Sequence, residues 1–121
     1  MPEKGYSETD LVLGAYDGDK TEVAKGARKL LQRGLSYGES ISKKCDKNII
    51  AITPSDHNNV RDGDILLVDL NGERVEGRKS LPQDLYLHIG LYRALSEINA
   101  VVHTRSTFAY AASCAGKTIP S

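Results

Sequence analysis

Net charge is missing from this chain of 121 residues, in which 16 Lys and Arg balance 16 Asp and Glu. There is no basic block either, so the electrostatic footprint of a general nucleic-acid binder is absent. No apolar run approaches the roughly 20 residues of a membrane-spanning helix. The opening Met-Pro-Glu-Lys-Gly lacks the apolar stretch of a secretory leader, which sets the expectation of a cytoplasmic protein without membrane contact. Cysteine is scarce. Cys45 and Cys114 lie far apart, in no metal or redox spacing, and read as two reduced thiols. Internal repeats and low-complexity segments are lacking too. What is left, 40% hydrophobic and 26% charged, is ordinary for a soluble globular domain. A chain of this length makes one domain that buries roughly two-thirds of its unfolded surface.

Residues 1–16 carry little pattern and read as an arm, with the domain proper over 17–121. Asp17-Gly-Asp-Lys-Thr21 offers capping side chains before Val23, Ala24, Ala27, Leu30 and Leu31, which recur at helical spacing until Gly34. A polar stretch follows, with a weak strand over Ser40–Lys43. Ile49–Thr53 is a short apolar strand closed by Pro54-Ser-Asp56. Asp64–Leu70 reads as another, and Asn71-Gly72 is a strong hairpin signal with its return strand over Glu73–Glu76. Pro82 suits the first turn of a helix continued by Leu85, His88, Ile89, Tyr92 and Leu95. Ala100–Thr104 is a buried-type strand, and Ser106 is placed to cap a final alanine-rich helix ending near Gly116. The order implies an α/β fold, a mostly antiparallel sheet flanked by helices.

The segment richest in chemistry runs Asn99-Ala-Val-Val-His-Thr-Arg-Ser106. In an extended strand residues i and i+2 share a face, so His103 and Arg105 project together. Two histidines at that spacing would form half of a metal site. Arginine stays protonated and cannot ligate a metal.

These elements and motifs resemble the class II aldolase/adducin family. The likeness rests on Gly34-Leu35, Ile52-Thr-Pro-Ser55, Asp64-Ile-Leu-Leu-Val-Asp-Leu-Asn-Gly72 and Glu76-Gly77. It continues through Asp84-Leu-Tyr-Leu-His88, Tyr92-Arg93, Asn99 to Thr104 and Ala115-Gly-Lys-Thr-Ile-Pro120. It spans roughly residues 17 to 121 and implies a three-layer α/β/α domain, C-terminally short. In the family a histidine pair at the strand end and a third, later histidine hold zinc. The ion polarises a ketose carbonyl and stabilises an enediolate while a carbon–carbon bond breaks. An acidic residue one helix earlier moves the proton. The resemblance therefore implies His103 as a metal ligand, Asp84 as the catalytic carboxylate, Ser55 as a substrate-binding residue and Zn2+ as cofactor. It also implies a small phosphorylated sugar as substrate and a homo-oligomer.

The departures are equally specific. Arg105 stands where the second metal histidine belongs, and Leu81-Pro-Gln-Asp84 replaces the paired serines that help bind phosphate. The region of the third histidine lies past Ser121. Each residue thus has two readings. His103 is a zinc ligand or a strand-end histidine bonded to the backbone; Asp84 is an acid/base or a carboxylate resting on a helix dipole. His88 reads as a half-buried partner of Asp84 at i, i+4. Arg105 holds a phosphate or carboxylate, or pairs with Asp84. Lys43, Lys44 and Lys47 read as solvated surface. The expectation is a divergent sugar-phosphate aldolase/epimerase with an incomplete zinc site, weak or inactive as a lyase on its own. The alternative is a non-catalytic, adducin-like interaction or oligomerisation module.

Overall fold

A computed structural model describes residues 15–32, 40–56, 60–103 and 109–113. Helix α1 (Asp17–Gln32) leads into strands β1 (Ser40–Asp46) and β2 (Ile49–Ile52), and a helical turn at Asp62–Asp64 precedes β3 (Leu66–Asp69). Strand β4 (Arg74–Glu76), helix α2 (Leu85–Ala94), β5 (Ile98–His103) and β6 (Ala109–Ser113) complete the order. The strands form one six-stranded sheet, β4-β3-β2-β1-β5-β6, with every pairing antiparallel.

Alternation along the strands divides the core between the two faces. Ile49, Ala51, Leu67 and Val102 pack with Val23, Ala24, Ala27 and Leu30 of α1. Their neighbours Ile50, Ile52, Leu66, Val68 and Val101 pack with Leu85, Ile89 and Tyr92 of α2. Strands buried on both faces read as continuous apolar runs, which is why β2 and β3 stand out in the sequence. Each such Ile, Leu or Val contributes about 1.5–3 kcal/mol on burial. The result is the expected three-layer arrangement.

Polar ties hold α1 to the sheet. Lys20 meets Glu76 at 2.6 Å, and Lys43 meets Asp19 at 2.6 Å and Glu22 at 2.7 Å. Lys43 is therefore half-buried and paired, not solvated as expected. Burial, reinforced by Asp19, pushes the Cys45 thiol up to about 12, which makes it a poor nucleophile at neutral pH.

The hairpin forms as Asn71-Gly72 foretells. Asp69 Oδ1 accepts the backbone N–H groups of Asn71 and Glu73, each at 2.9 Å, and Gly72 takes φ +91°. Gly77 closes the same unit at φ +114°, where a Cβ would lie 2.4 Å from Leu66 Cδ2 and 3.3 Å from Leu66 Cα. Gly77→Ala is expected to cost about 1–3 kcal/mol, from backbone strain plus overpacking. Urea denaturation checks it, and an unchanged midpoint would refute it.

Two expectations need correction. Residues 109–113 are strand β6, not part of an alanine-rich helix. Alanine's helical propensity is a weak prior, and here the edge of β5 offers a hydrogen-bonded ladder running from Ile98 to His103. The Ser106 cap lies outside the described residues. Helix α2 starts at Leu85 rather than Pro82; Pro82 lies in the turn before it, and its carbonyl accepts the Leu85 N–H at 3.2 Å. Almost all of the arm over 1–16 lies outside the described residues.

Candidate functional site

Strand β1 is unusual in turning serines inward. Ser40 and Ser42 lie on the sheet face that carries Val101, the face covered by α2, and both are buried. Opposite them α2 presents Asp84, His88 and Tyr92, spaced at i, i+4 and i+8. Four helical residues rise about 6 Å and two strand residues about 6.6–6.8 Å, so the two polar rows nearly match in step. They interdigitate. Ser40 Oγ sits between Asp84 Oδ2, to which it donates a short hydrogen bond, and His88 Nε2 at 2.6 Å. Ser42 Oγ sits between His88 Nδ1 at 2.7 Å and the Tyr92 hydroxyl at 2.8 Å.

Strand pairing brings in the last member. His103 is the direct cross-strand neighbour of Ser40, and its Nδ1 lies 2.5 Å from Asp84 Oδ2. The Asp84 and His103 side chains are 20% and 28% exposed whereas His88 is fully buried. Of these groups, Asp84 and His103 are the ones a small molecule can touch.

Asp84 occupies the N-cap of α2 yet makes no capping bond with its side chain. A cap at this position is worth about 0.5–2 kcal/mol. Its carboxylate turns to Ser40 and His103 instead, leaving its backbone carbonyl to accept from Leu87 N–H at 3.0 Å. Burial alone would push this carboxyl up, but the neighbouring His88 ring and the hydrogen bonds from Ser40 and His103 outweigh it. They hold it well below the usual carboxylate range. At neutral pH the site presents an ionised carboxylate, a proton acceptor, braced against an imidazole. Burial pushes the Tyr92 phenol in the opposite direction, upward, so it stays protonated.

Asp84 and His103 are thus brought together. Ser55 is exposed in the loop after β2, and its N–H donates to the Ser80 carbonyl at 2.9 Å. That bond ties its loop to the segment entering Asp84. Arg105 lies outside the described residues, as do His57 and Cys114. His88 corrects an expectation in its burial: it is wholly buried and bonded to two serines, while it does lie beside Asp84 at i, i+4, with Nε2 3.7 Å from Asp84 Oδ2. Sequence reasoning assigns no site role to Ser40, Ser42 or Tyr92. The pattern that carries them is Ser-x-Ser on a strand set against Asp-x3-His-x3-Tyr on a helix.

A zinc ion needs three or four nitrogen, sulfur or oxygen ligands held together. Both His88 nitrogens are engaged by hydroxyls, leaving His103 Nε2 as the imidazole donor. Among the described residues no group of three His, Cys, Asp or Glu could hold a metal. The described residues do not by themselves fit a zinc site. No helix among them is long and apolar enough to cross a membrane.

Comparison with known proteins follows the geometry. Residues 21–121 match the family described as the class II aldolase and adducin N-terminal domain. The 5-deoxy-D-ribulose 1-phosphate aldolase of Bacillus thuringiensis serovar kurstaki is 28% identical over 109 residues, 85% of this chain and 51% of that protein. An L-ribulose-5-phosphate 4-epimerase of Salmonella paratyphi B is 35% identical over 78 residues, 63% of this chain and 34% of that protein. Among solved structures, an L-fuculose 1-phosphate aldolase superposes with a TM-score of 0.64 at 32% identity, covering 73% of this chain and 45% of the other. The chain spans about half the length, or less, of the relatives it matches.

Proposed function

The chain belongs to the class II aldolase and adducin N-terminal domain family, and from that membership we propose that it is a divergent sugar-phosphate aldolase or epimerase whose proton-transfer group is Asp84. One observation carries the reading. A carboxylate at a helix N-cap forgoes capping, is held ionised, and faces a partly exposed imidazole at the end of the sheet. General acid–base catalysis needs such a group within reach of a hydroxyl or carbon-bound proton next to a carbonyl. Asp84 takes the proton of the hydroxyl on the carbon to be released as an aldehyde, and the carbon–carbon bond breaks with its electron pair passing to the ketose carbonyl. The protonated Asp84 returns the proton to the enediolate in cleavage, or to the new alkoxide after the aldehyde re-adds through its other face in epimerisation. The relatives are named for phosphorylated ketoses, which supports that substrate class. Arg105, two residues beyond His103, and Ser55 are assigned to the anionic end of the substrate.

Among the described residues, His103 Nε2 is the one imidazole donor left for a zinc ion. Where a second histidine would complete the pair, Arg105 stands, and two cations at 4 Å repel by about 4 kcal/mol per unit charge pair at an effective dielectric of 20. The chain alone is expected to bind zinc no tighter than micromolar and to turn over slowly. Calorimetry checks this: a submicromolar dissociation constant lost in His103→Ala would overturn it. Arg105→His should tighten binding. A cytoplasmic homo-oligomer completes the proposal.

The function itself is tested by titrating the protein with L-fuculose 1-phosphate, inorganic phosphate serving as control, and following the His103 ring signals. Saturable shifts with the sugar phosphate, beyond those with phosphate, together with slow zinc-supplemented cleavage, support the reading. Absence of both would overturn it in favour of the non-catalytic, adducin-like interaction module.

A further inference from the structure

Asp84 ends a row of polar side chains that proton transfer itself does not use, and counting donors along the row fixes its direction. An ionised carboxylate only accepts, so Ser40 donates its one proton to Asp84 Oδ2. With that proton committed, the 2.6 Å contact requires His88 Nε2–H to donate to Ser40 Oγ. His88 is fully buried, where a charged ring would bear a large desolvation penalty. In the neutral ring Nδ1 is then bare and accepts from Ser42, 2.7 Å away. Tyr92, whose phenol keeps its proton, donates to Ser42 at 2.8 Å. From the other side His103 Nδ1–H donates to Asp84. Every hydrogen bond in the row points toward the carboxylate.

A row with this polarity does not carry a proton away from Asp84. Each acceptor on the outward path already holds a hydrogen, and the far end is a phenol. What the row does is hold direction. We propose that His88 is the positioning residue of this site: its Nε2–H fixes the Ser40 hydroxyl toward Asp84, and so keeps the carboxylate against His103 Nδ1. The proposal rests on Asp84 as the proton-transfer group. A carboxylate that orients an imidazole in this way sets which ring nitrogen is free for a ligand or a substrate hydroxyl.

The test reads tautomers, not turnover. In protein labelled with 15N-histidine, two-bond proton–nitrogen correlation is expected to show His88 as the Nε2–H tautomer and His103 as Nδ1–H. His88→Leu should abolish the Nδ1–H preference of His103, and His88→Gln, whose amide can still donate to Ser40, should restore it. Ser40→Ala, a milder change, should reproduce the loss if the leucine variant does not fold. Finding His88 charged or as the Nδ1–H tautomer would overturn the proposal. So would a His103 signature unchanged in Ser40→Ala. The expected tautomers in a protein that neither binds nor cleaves a sugar phosphate would overturn the proposed function and leave the positioning role standing.

Discussion

Replacing His88 with leucine is expected to lower the free energy of unfolding by about 3–5 kcal/mol, although leucine suits the volume and the surroundings. The loss comes from what the histidine leaves behind. Ser40 and Ser42 are buried, and each has one hydrogen bond to the ring. A buried polar group left without its partner costs about 1–3 kcal/mol, whereas removing both partners together can be nearly neutral. This asymmetry yields a sharper expectation for a triple variant. Ser42→Ala, His88→Leu and Tyr92→Phe together remove the sealed part of the row and leave Ser40 its bond to Asp84. The triple variant should recover at least half of the stability lost in His88→Leu alone. Urea denaturation of the three proteins decides it, and a triple variant no more stable than the single one would show that the row contributes by packing and not by pairing.

The same row explains where the sequence was readable and where it was not. Strands β2 and β3, and β5 at Val101 and Val102, bury apolar residues on both faces, so burial and pattern agree. Strand β1 reads Ser-Ile-Ser-Lys-Lys, and its inward face on the α2 side is polar because it meets a polar stripe of the helix. Hydrophobic alternation, the main signal for a half-buried strand, is therefore absent. The strand was visible only as a weak stretch, three residues short of its observed end at Asp46. β6 is hidden for a different reason: its composition favours helix and its conformation is set by the neighbouring edge.

For the site, strand periodicity oriented His103, and family resemblance pointed to Asp84. No local rule joins Ser40 to Asp84, since 44 residues separate them and the pairing exists only once β1 lies beside β5. The signs were distributed over two elements, each unremarkable alone. A serine pair on a strand is commonplace, and a buried tyrosine at helical spacing reads as core.

The helix N-terminus provides the clue that local rules can give. Aspartate is among the best N-cap residues, and the sequence places one there. The structure spends neither oxygen on the cap. Where a residue sits in the position its local propensity favours and declines the interaction that propensity rests on, the competing contact is the stronger one. Here that contact is the convergence of Ser40 and His103 on a single oxygen.

Asp84→Asn is the substitution that separates charge from shape. Asparagine keeps a carbonyl oxygen able to accept from Ser40 and His103, so the row survives, but it cannot take a proton from a substrate. Turnover of a phosphorylated ketose is expected to fall about 10²–10⁴-fold, the usual contribution of a positioned general base, equivalent to about 3–5 kcal/mol of barrier. Equal rates in wild type and variant would remove Asp84 from the chemistry. Stability gives an independent reading of the same charge. Because folding lowers the carboxyl's pKa, the ionised form stabilises the folded chain above the unfolded value of about 3.9. That contribution fades as pH falls toward the lowered folded value. Wild type should therefore exceed Asp84→Asn by a constant margin from pH 5 to 7, and the margin should shrink below about pH 4. A margin that instead grew on acidification would mean that the folded state favours the protonated acid, and Asp84 would then be a proton donor at rest and not the base assigned to it.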